Sequence, residues 1–117
     1  MYQRHELGKT GENIVKEYLI KEGYKIVALN FRYKKYEIDI IAKDKEEIVF
    51  IEVKTRSSKD YGMPAEAVTK LKQKHILKTA KYYLHIYKME NIYTRFDVIE
   101  VYYHKEKYYI HHIKQTI

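Results

Sequence analysis

The spacing of apolar and polar residues predicts seven elements in the order helix, three strands, helix, two strands. Apolar residues recur at helical spacing between Glu6 and Glu22, and Gly23 is well placed to end that helix. Runs rich in β-branched and aromatic residues, separated by polar turns, predict five strands. These strands are Tyr24–Arg32, Glu37–Lys43, Glu47–Thr55, Thr94–Tyr103 and Lys107–Lys114.

The second helix is predicted between the third and fourth strands. The stretch Arg56–Gly62 breaks the strand pattern as a loop, and Pro64 suits the first turn of the helix that follows. We expect this helix to bury a loose apolar stripe. The stripe consists of Val68, Leu71, His75, Ala80, Leu84 and Tyr87, with lysines around it at 70, 72, 74, 78 and 81.

Charged residues interrupt two of the most apolar strands. Asp39 lies among isoleucines in the second strand, and Glu52 and Lys54 follow Ile48–Ile51 in the third. A charge in such a strand is costly unless it is paired or binds a cation. These three residues are therefore the first candidates for chemistry.

Strand geometry predicts that the two carboxylates are neighbours. Alternation places Glu52 and Lys54 on one face of their strand, and places Asp39 on the face opposite Ile38 and Ile40. A polar turn joins the two strands, so we expect an antiparallel hairpin. Mg²⁺ prefers oxygen ligands and would relieve the repulsion between the carboxylates. An ordinary ion pair between Glu52 and Lys54 is the alternative.

Composition indicates one basic domain. The 117 residues carry a formal charge of +7, with no cysteine, and form one domain spanning 1–117. The basic charge favours a nucleic-acid partner, with anionic membrane or simple solubility as alternatives. The polar start of the chain is no signal peptide and its apolar runs are short, so we expect a cytoplasmic protein without a membrane partner.

Several short motifs resemble those of the YraN-like uncharacterised bacterial family, in the same order and over nearly the whole chain. The matching segments are Gly11-Glu12, Asn30–Arg32, Glu37–Ala42, Phe50–Arg56, Tyr61-Gly62, Ala67–Thr69, Lys72-Gln73 and Arg95–Val98. The order of elements and the Asp39, Glu52 and Lys54 pattern also resemble the PD-(D/E)xK nuclease superfamily. One departure is Tyr36, which stands where the family usually has glycine and puts the shape of that turn in question.

The resemblance implies a fold and an active site. The fold would be α/β, with a restriction-endonuclease-like αβββαβ core, a mixed central sheet flanked by helices and an extra C-terminal strand, similar to archaeal Holliday-junction resolvases. The active site would consist of Glu12, Asp39, Glu52 and Lys54, with Mg²⁺ or Mn²⁺ as the cofactor.

Two acidic residues could add ligands to this metal. Gly8 and Gly11 would let the first helix approach the sheet and bring Glu12 over Asp39 as a third oxygen ligand. The alternative for Glu12 is a solvated residue favoured by the helix dipole. Glu37 is a further candidate ligand, with solvent exposure at the start of its strand as the alternative.

Basic residues around the site are candidates for phosphate contact. Arginine is scarce in the chain, and its guanidinium binds phosphate bidentately, which makes Arg56 the first candidate and Arg32 and Arg95 further ones. Lys72 and Gln73, one to two turns into the second helix, lie near the expected mouth of the site, with a solvated basic face as the alternative.

Other polar residues of the last two strands have structural interpretations. We expect Asp97 to pair with a basic neighbour rather than to bind metal. His111 and His112 are adjacent in a strand and should point to opposite faces, which disfavours a zinc site.

Three hypotheses follow from these observations. The first is a Mg²⁺-dependent endonuclease that hydrolyses DNA phosphodiesters, at branched or junction DNA. The second is a nucleic-acid-binding module of the same fold without turnover, and the third is a protein-interaction domain that uses the tyrosine-rich terminal hairpin. We also expect a homodimer through the Thr94–Lys114 hairpin or the second helix, because resolvases of similar fold pair two active sites.

Overall fold

The predicted order of elements is confirmed by the computed structural model, which describes residues 4–56, 69–105 and 107–116 and the side chains of these except 4–10 and 104. Each strand begins and ends within one residue of its predicted bounds. The elements are α1 (Arg4–Lys21), β1 (Lys25–Tyr33), β2 (Tyr36–Asp44), β3 (Glu47–Arg56), α2 (Lys70–Ile86), β4 (Thr94–His104) and β5 (Lys107–Ile113).

The five strands form one mixed sheet in the order of the sequence. The strand pairs β1–β2, β2–β3 and β4–β5 are antiparallel, and β3–β4 is parallel. The predicted hairpin of β2 and β3 is therefore confirmed. This α/β arrangement is compatible with a restriction-endonuclease-like core.

The two helices cover opposite faces of the sheet. Val15 and Leu19 of α1 are fully buried with Val49 and Ile51 of β3. On the other face, α2 buries its apolar residues with Phe50 and Phe96, and those residues are Ile76, Ala80 and Tyr83. Each helix adds an apolar layer, so the central strands are enclosed on both sides.

The predicted apolar stripe of α2 is wrong in its details. The helix buries Ile76, Thr79, Ala80 and Tyr83, whereas Leu71 and Tyr87 are 63% and 58% exposed. Ala80 belongs to both sets, and Leu84 and His75 are half-buried. The sequence allowed two stripes because apolar residues occur on more than one side of this helix, and packing on the sheet selects one of them. Val68 and Pro64 lie outside the described residues.

The beginning of α2 also differs from the prediction. Thr69 is its N-cap and accepts a hydrogen bond from the Lys72 N–H at 3.1 Å. Because the helix begins at Lys70, Lys72 and Gln73 lie in its first turn and not one to two turns into it. The predicted loop after Arg56 lies outside the described residues.

Asp97 pairs with basic neighbours, as predicted. Its buried carboxylate accepts a hydrogen bond from Arg95 Nε at 2.9 Å and lies 2.7 Å from His112 Nε2. These hydrogen bonds lower the pKa of Asp97 against the opposing effect of burial, which raises it. His111 instead lies 3.1 Å from Glu100, so the two histidines contact different strand residues on opposite faces.

No helix within the described residues is long and apolar enough to cross a membrane.

Candidate functional site

The candidate site lies where β2 and β3 separate. The ladder between these strands ends at the pair Ile40 and Ile51, and Asp39 and Glu52 are the next residue on each strand. Beyond this point the Asp39 carboxylate, at Oδ2, accepts a hydrogen bond from the Val53 N–H at 2.8 Å. The Val53 N–H lies beyond the end of the β2–β3 ladder, and the Asp39 side chain accepts its hydrogen bond instead. This hydrogen bond holds the carboxylate in the fork between the two strands.

The predicted alternation around Asp39 is wrong. Ile38 packs in the core beneath α2 and Ile40 packs in the core beneath α1, so these two residues do not share a face. The alternation changes at Asp39, opposite Asn30, which has a φ of 50°. Asparagine is among the few residues that adopt this left-handed conformation readily. The local irregularity directs Asp39 toward β3.

Asp39 and Glu52 line one open cavity of about 360 Å³ between the sheet and α2. This brings together the two carboxylates that were predicted as neighbours. The cavity is lined by Lys35, Tyr36, Glu37, Asp39, Glu52, Lys72, His75, Ile76 and Thr79.

The Asp39 carboxyl holds its proton unusually well. Its pKa is raised to about 6, chiefly by burial, and the hydrogen bond from Val53 opposes that rise. Repulsion from the carboxylates of Glu12, Glu52 and Glu37 contributes the rest of the increase. A cation bound among these groups would reverse the repulsion and favour the ionised form of Asp39.

Glu52 has one paired and one unpaired oxygen. Its Oε1 lies 2.7 Å from Nζ of Lys72, whose side chain is half exposed. Its Oε2 is buried and has no hydrogen-bond partner in the part of the chain that the structure describes. A buried oxygen without a partner is costly, and the cost is relieved by a ligand that accepts its lone pair.

Glu12 and Lys54 are not among the described lining residues of the cavity, although the Glu12 carboxylate is near enough to raise the pKa of Asp39. Lys54 is half-buried on the same face of β3 as Glu52, beside Glu100 in the register. Glu12 belongs to α1, which approaches β3 so closely that a Cβ on Gly11 would lie 2.5 Å from Thr55 Oγ1. The expected close approach of this helix is therefore confirmed at Gly11, whereas the contacts of Gly8 lie outside the described side chains.

The oxygen ligands that Asp39 and Glu52 offer in the cavity are of the type that a hard divalent cation prefers, but they come from only two carboxylates. Asp39 and Glu52 supply carboxylate oxygens, one of which is buried and unpaired, and Mg²⁺ is commonly held by one or two carboxylates together with waters. Across residues 4–56, 69–105 and 107–116, however, no group of three or more His, Cys, Asp or Glu side chains is arranged to hold a metal. Two carboxylates with water are the ligand set that these residues offer.

The four predicted nucleic-acid-binding residues have different surroundings. Arg32 is 71% exposed and pairs with Glu37 at 2.9 Å. Lys72 pairs with Glu52, and Gln73 is half-buried beside it in α2. Arg56 is only 20% exposed and its Nε donates to Glu100 at 3.1 Å. Arg32 and Lys72 therefore present their charge near the cavity, whereas Arg56 also balances a buried carboxylate.

Glu100 and the aromatic lining of the cavity were not predicted from the sequence. Glu100 is 1% exposed and contacts Arg56, His111 and Tyr102 on the β3–β4 surface that also carries Lys54. Like Glu52, it is a carboxylate within an apolar strand, and this local signal could have identified it. Tyr36 was noted only for the shape of its turn.

The comparisons with known proteins agree on one family. The sequence profile of the uncharacterised protein family UPF0102 matches residues 11–101. A UPF0102 protein of Caldicellulosiruptor saccharolyticus is 50% identical over 99 residues, which cover 85% of this chain and 84% of the relative. A UPF0102 protein of Clostridium perfringens is 49% identical over 112 residues, covering 94% and 92% of the two chains. A third, of Chlorobium phaeobacteroides, is 52% identical over 97 residues, covering 83% and 76%. The YraN-like resemblance is thus confirmed, and the chain belongs to the UPF0102 family.

Proposed function

We propose that this protein is a metal-dependent endonuclease that hydrolyses phosphodiesters in DNA, with Mg²⁺ or Mn²⁺ as the cation. The observation that carries the proposal is the pair Asp39 and Glu52 in one cavity. Their mutual repulsion, the raised pKa of Asp39 and the buried unpaired oxygen of Glu52 are all features that a divalent cation would relieve.

Asp39 and Glu52 would hold the cation, and Glu12 would assist through an oxygen or a water. A bound divalent cation supplies an activated water and offsets negative charge on the phosphate. The Val53 N–H orients the Asp39 carboxylate, and Lys54, two residues beyond Glu52 on the same face of β3, would orient the nucleophile or a phosphate oxygen.

The charge of the chain and its placement support a nucleic-acid partner. The net charge is +7, and the lysines of α2 at 70, 72, 74, 78 and 81 are exposed on the helix that borders the cavity. Arg32, Arg56 and Gln73 are further candidates for phosphate contact. Junction or other branched DNA is the substrate we propose, on the resemblance to resolvases.

One contact favours a second candidate function, a nucleic-acid-binding module of the same fold without turnover. The Lys72 ammonium lies 2.7 Å from Glu52 and neutralises one of the two carboxylates without any metal. In such a module the ion pair would be permanent. In the nuclease, the cation would compete with Lys72 for Glu52, and Lys72 would then be available to a phosphate.

Cleavage assays separate the two functions. Single-stranded, duplex and four-way-junction DNA are incubated with the protein in Mg²⁺, Mn²⁺ or chelator. The variants are Asp39→Asn, Glu52→Gln and, as a matched control, Glu46→Gln, which changes an exposed carboxylate in the β2–β3 turn. The nuclease hypothesis expects metal-dependent cutting that the first two variants lose and the control keeps. Binding without cutting in every metal would favour the module, and cutting that survives both site variants would exclude this site.

We also propose a homodimer, since one chain carries one candidate site and symmetric cutting of two strands needs two. Tyr109 at the end of the β4–β5 hairpin is 39% exposed and available to an interface, whereas Tyr102, its partner in the register, is buried. Light scattering at micromolar concentration, with and without junction DNA, tests this. A monomer in both conditions would point to a single-strand nick as the product.

A further inference from the structure

Two stacked ring pairs join the β1–β2 turn to α2. Tyr33 stacks on Tyr82, with ring centres 4.4 Å apart and 28° between the planes. Tyr36 stacks on His75, with centres 4.1 Å apart and 21° between the planes. We call these four residues the aromatic platform.

Simple geometry brings the four rings together. Tyr33 and Tyr36 are partners in the register of β1 and β2, and only the two-residue turn Lys34-Lys35 separates them. His75 and Tyr82 are seven residues apart, which is two turns, so they lie on one side of α2. Each ring of the hairpin therefore meets one ring of the helix.

The platform borders the proposed active site. Tyr36 and His75 line the same cavity as Asp39 and Glu52. The rings are also accessible, because Tyr82 is 38% exposed and Tyr33, Tyr36 and His75 are each only partly buried. A molecule that lies in the cavity can therefore extend onto the rings.

Cations lie against both tyrosines of the turn. Nζ of Lys34 is 5.3 Å from the centre of the Tyr33 ring, and Nζ of Lys35 is 5.7 Å from that of Tyr36. Both lysines are exposed, so their ammonium groups can also meet phosphates of a bound strand. Accessible aromatic rings with cations beside them are the two components that bind single-stranded nucleic acid, the first by base stacking and the second by charge.

We propose that the aromatic platform binds the base of an unpaired nucleotide, next to the phosphodiester held at Asp39 and Glu52. The proposal rests on the proposed nuclease function and defines its substrate more narrowly, as DNA with an unpaired segment adjoining the cleaved bond. Binding by phosphate contact alone would not distinguish a tail that has bases from one that lacks them.

The test compares two DNA duplexes that differ only in their single-stranded tail. One tail carries adenines and the other carries abasic residues, so both have the same number of phosphates. Binding is measured by fluorescence anisotropy in chelator, so that no metal-dependent cutting occurs. The intact protein should bind the adenine tail about tenfold more tightly, the preference expected from stacking one base.

Two variants test whether the preference for the adenine tail depends on the aromatic platform. Tyr33→Leu and Tyr36→Leu keep apolar volume and remove the stacking ring, and each should bring the affinity for the adenine tail toward that for the abasic tail. Tyr93→Leu is the matched control, because Tyr93 is 78% exposed beside the first residue of β4, and it should retain the full preference. Circular dichroism melts establish that the variants are folded.

A second measurement does not depend on the variants. A 2-aminopurine base in the tail loses fluorescence when it stacks on a ring, and the chain contains no tryptophan to obscure its emission. The proposal expects quenching when the intact protein binds, and less quenching in Tyr36→Leu.

The outcomes separate this proposal from the nuclease function. Equal affinity for the two tails, or no quenching, would overturn the platform even if the protein cuts DNA in Mg²⁺. A preference that survives in both tyrosine variants would place base binding elsewhere and overturn it too. If the protein neither binds nor cuts DNA, both proposals fail.

Discussion

Replacing Asp39 with asparagine should stabilise the metal-free protein at neutral pH. Asparagine keeps the shape of the side chain and an oxygen that can accept the Val53 N–H, but it removes the charge that burial and neighbouring carboxylates disfavour. The Asp39→Asn variant is therefore expected to unfold at higher urea concentration than the wild type at pH 7.5, although it loses the proposed metal ligand.

The magnitude follows from the shift in pKa. The pKa of Asp39 rises from 3.8 to about 6 on folding, a difference of about 2 pH units. Each unit corresponds to about 1.4 kcal/mol, so the ionised carboxylate lowers the free energy of unfolding by about 2 to 3 kcal/mol. Because the folded pKa is the higher one, the folded state takes up the proton first. The penalty is absent below about pH 4, grows as the pH rises to about 6, and is constant above that.

The assay is urea unfolding of both proteins between pH 3.5 and pH 8 in chelator. The difference in free energy of unfolding, variant minus wild type, should increase by about 2 to 3 kcal/mol across that range. Taking the difference cancels the titration of carboxylates that do not interact with Asp39. Added Mg²⁺ should then stabilise the wild type above about pH 6 and leave the variant unchanged, because ligand binding stabilises only the protein that holds it.

A difference that stays flat with pH would contradict this prediction, since it would mean that Asp39 is no harder to ionise in the folded state than in the unfolded chain. The Glu46→Gln control should change the free energy of unfolding by less than about 0.5 kcal/mol throughout, as is usual at an exposed position.

Three further predictions concern the basic residues. Arg56→Ala should lower the free energy of unfolding by about 2 kcal/mol in urea titrations, because it removes a cation from the buried Glu100, and an unchanged midpoint would contradict this. Lys72→Met should strengthen Mg²⁺ binding measured by calorimetry, because the ammonium no longer competes for Glu52, and weaker binding would exclude Glu52 as a ligand. Affinity for duplex DNA should fall at least tenfold between about 50 and 200 mM salt, since lysines meeting phosphates release counterions, and a flat titration would remove the physical basis for a nucleic-acid partner.

The strands could be predicted because their sequence patterns are local. Each of the five is a run of β-branched and aromatic residues between polar turns, so its bounds depend on nearby residues alone. The parallel neighbour of β3 is a long-range feature that the sequence did not identify, and the resemblance to a known fold supplied only the expectation of a mixed sheet. The fork at Asp39 could not be predicted, because alternation assumes a regular ladder and the ladder ends at Ile40.

The sequence predicted that Asp39 and Glu52 are neighbours, but it did not predict the ion pairs that the basic residues form around them. Asp39 and Glu52 were placed as neighbours correctly, because one hairpin carries both. The contacts between Arg56 and Glu100 and between Lys72 and Glu52 join residues 44 and 20 positions apart in the sequence. Such pairs depend on how α2 and β4 pack, and a long basic side chain gives no local signal of which carboxylate it will meet.

The parallel pairing of β3 and β4 also fixes the handedness of the site. The chain passes from β3 through α2 to a parallel neighbour, and crossovers of this kind are right-handed in about 98% of proteins. Chirality therefore determines which face of the sheet α2 can cover, and Glu52 and Lys54 are on that face. Inserting a single residue before Glu52 would turn both side chains beneath α1, where no cavity with Lys72 and His75 could form. The position of Glu52 and Lys54 along β3, which decides the face that they occupy, is thus constrained as strictly as their identity.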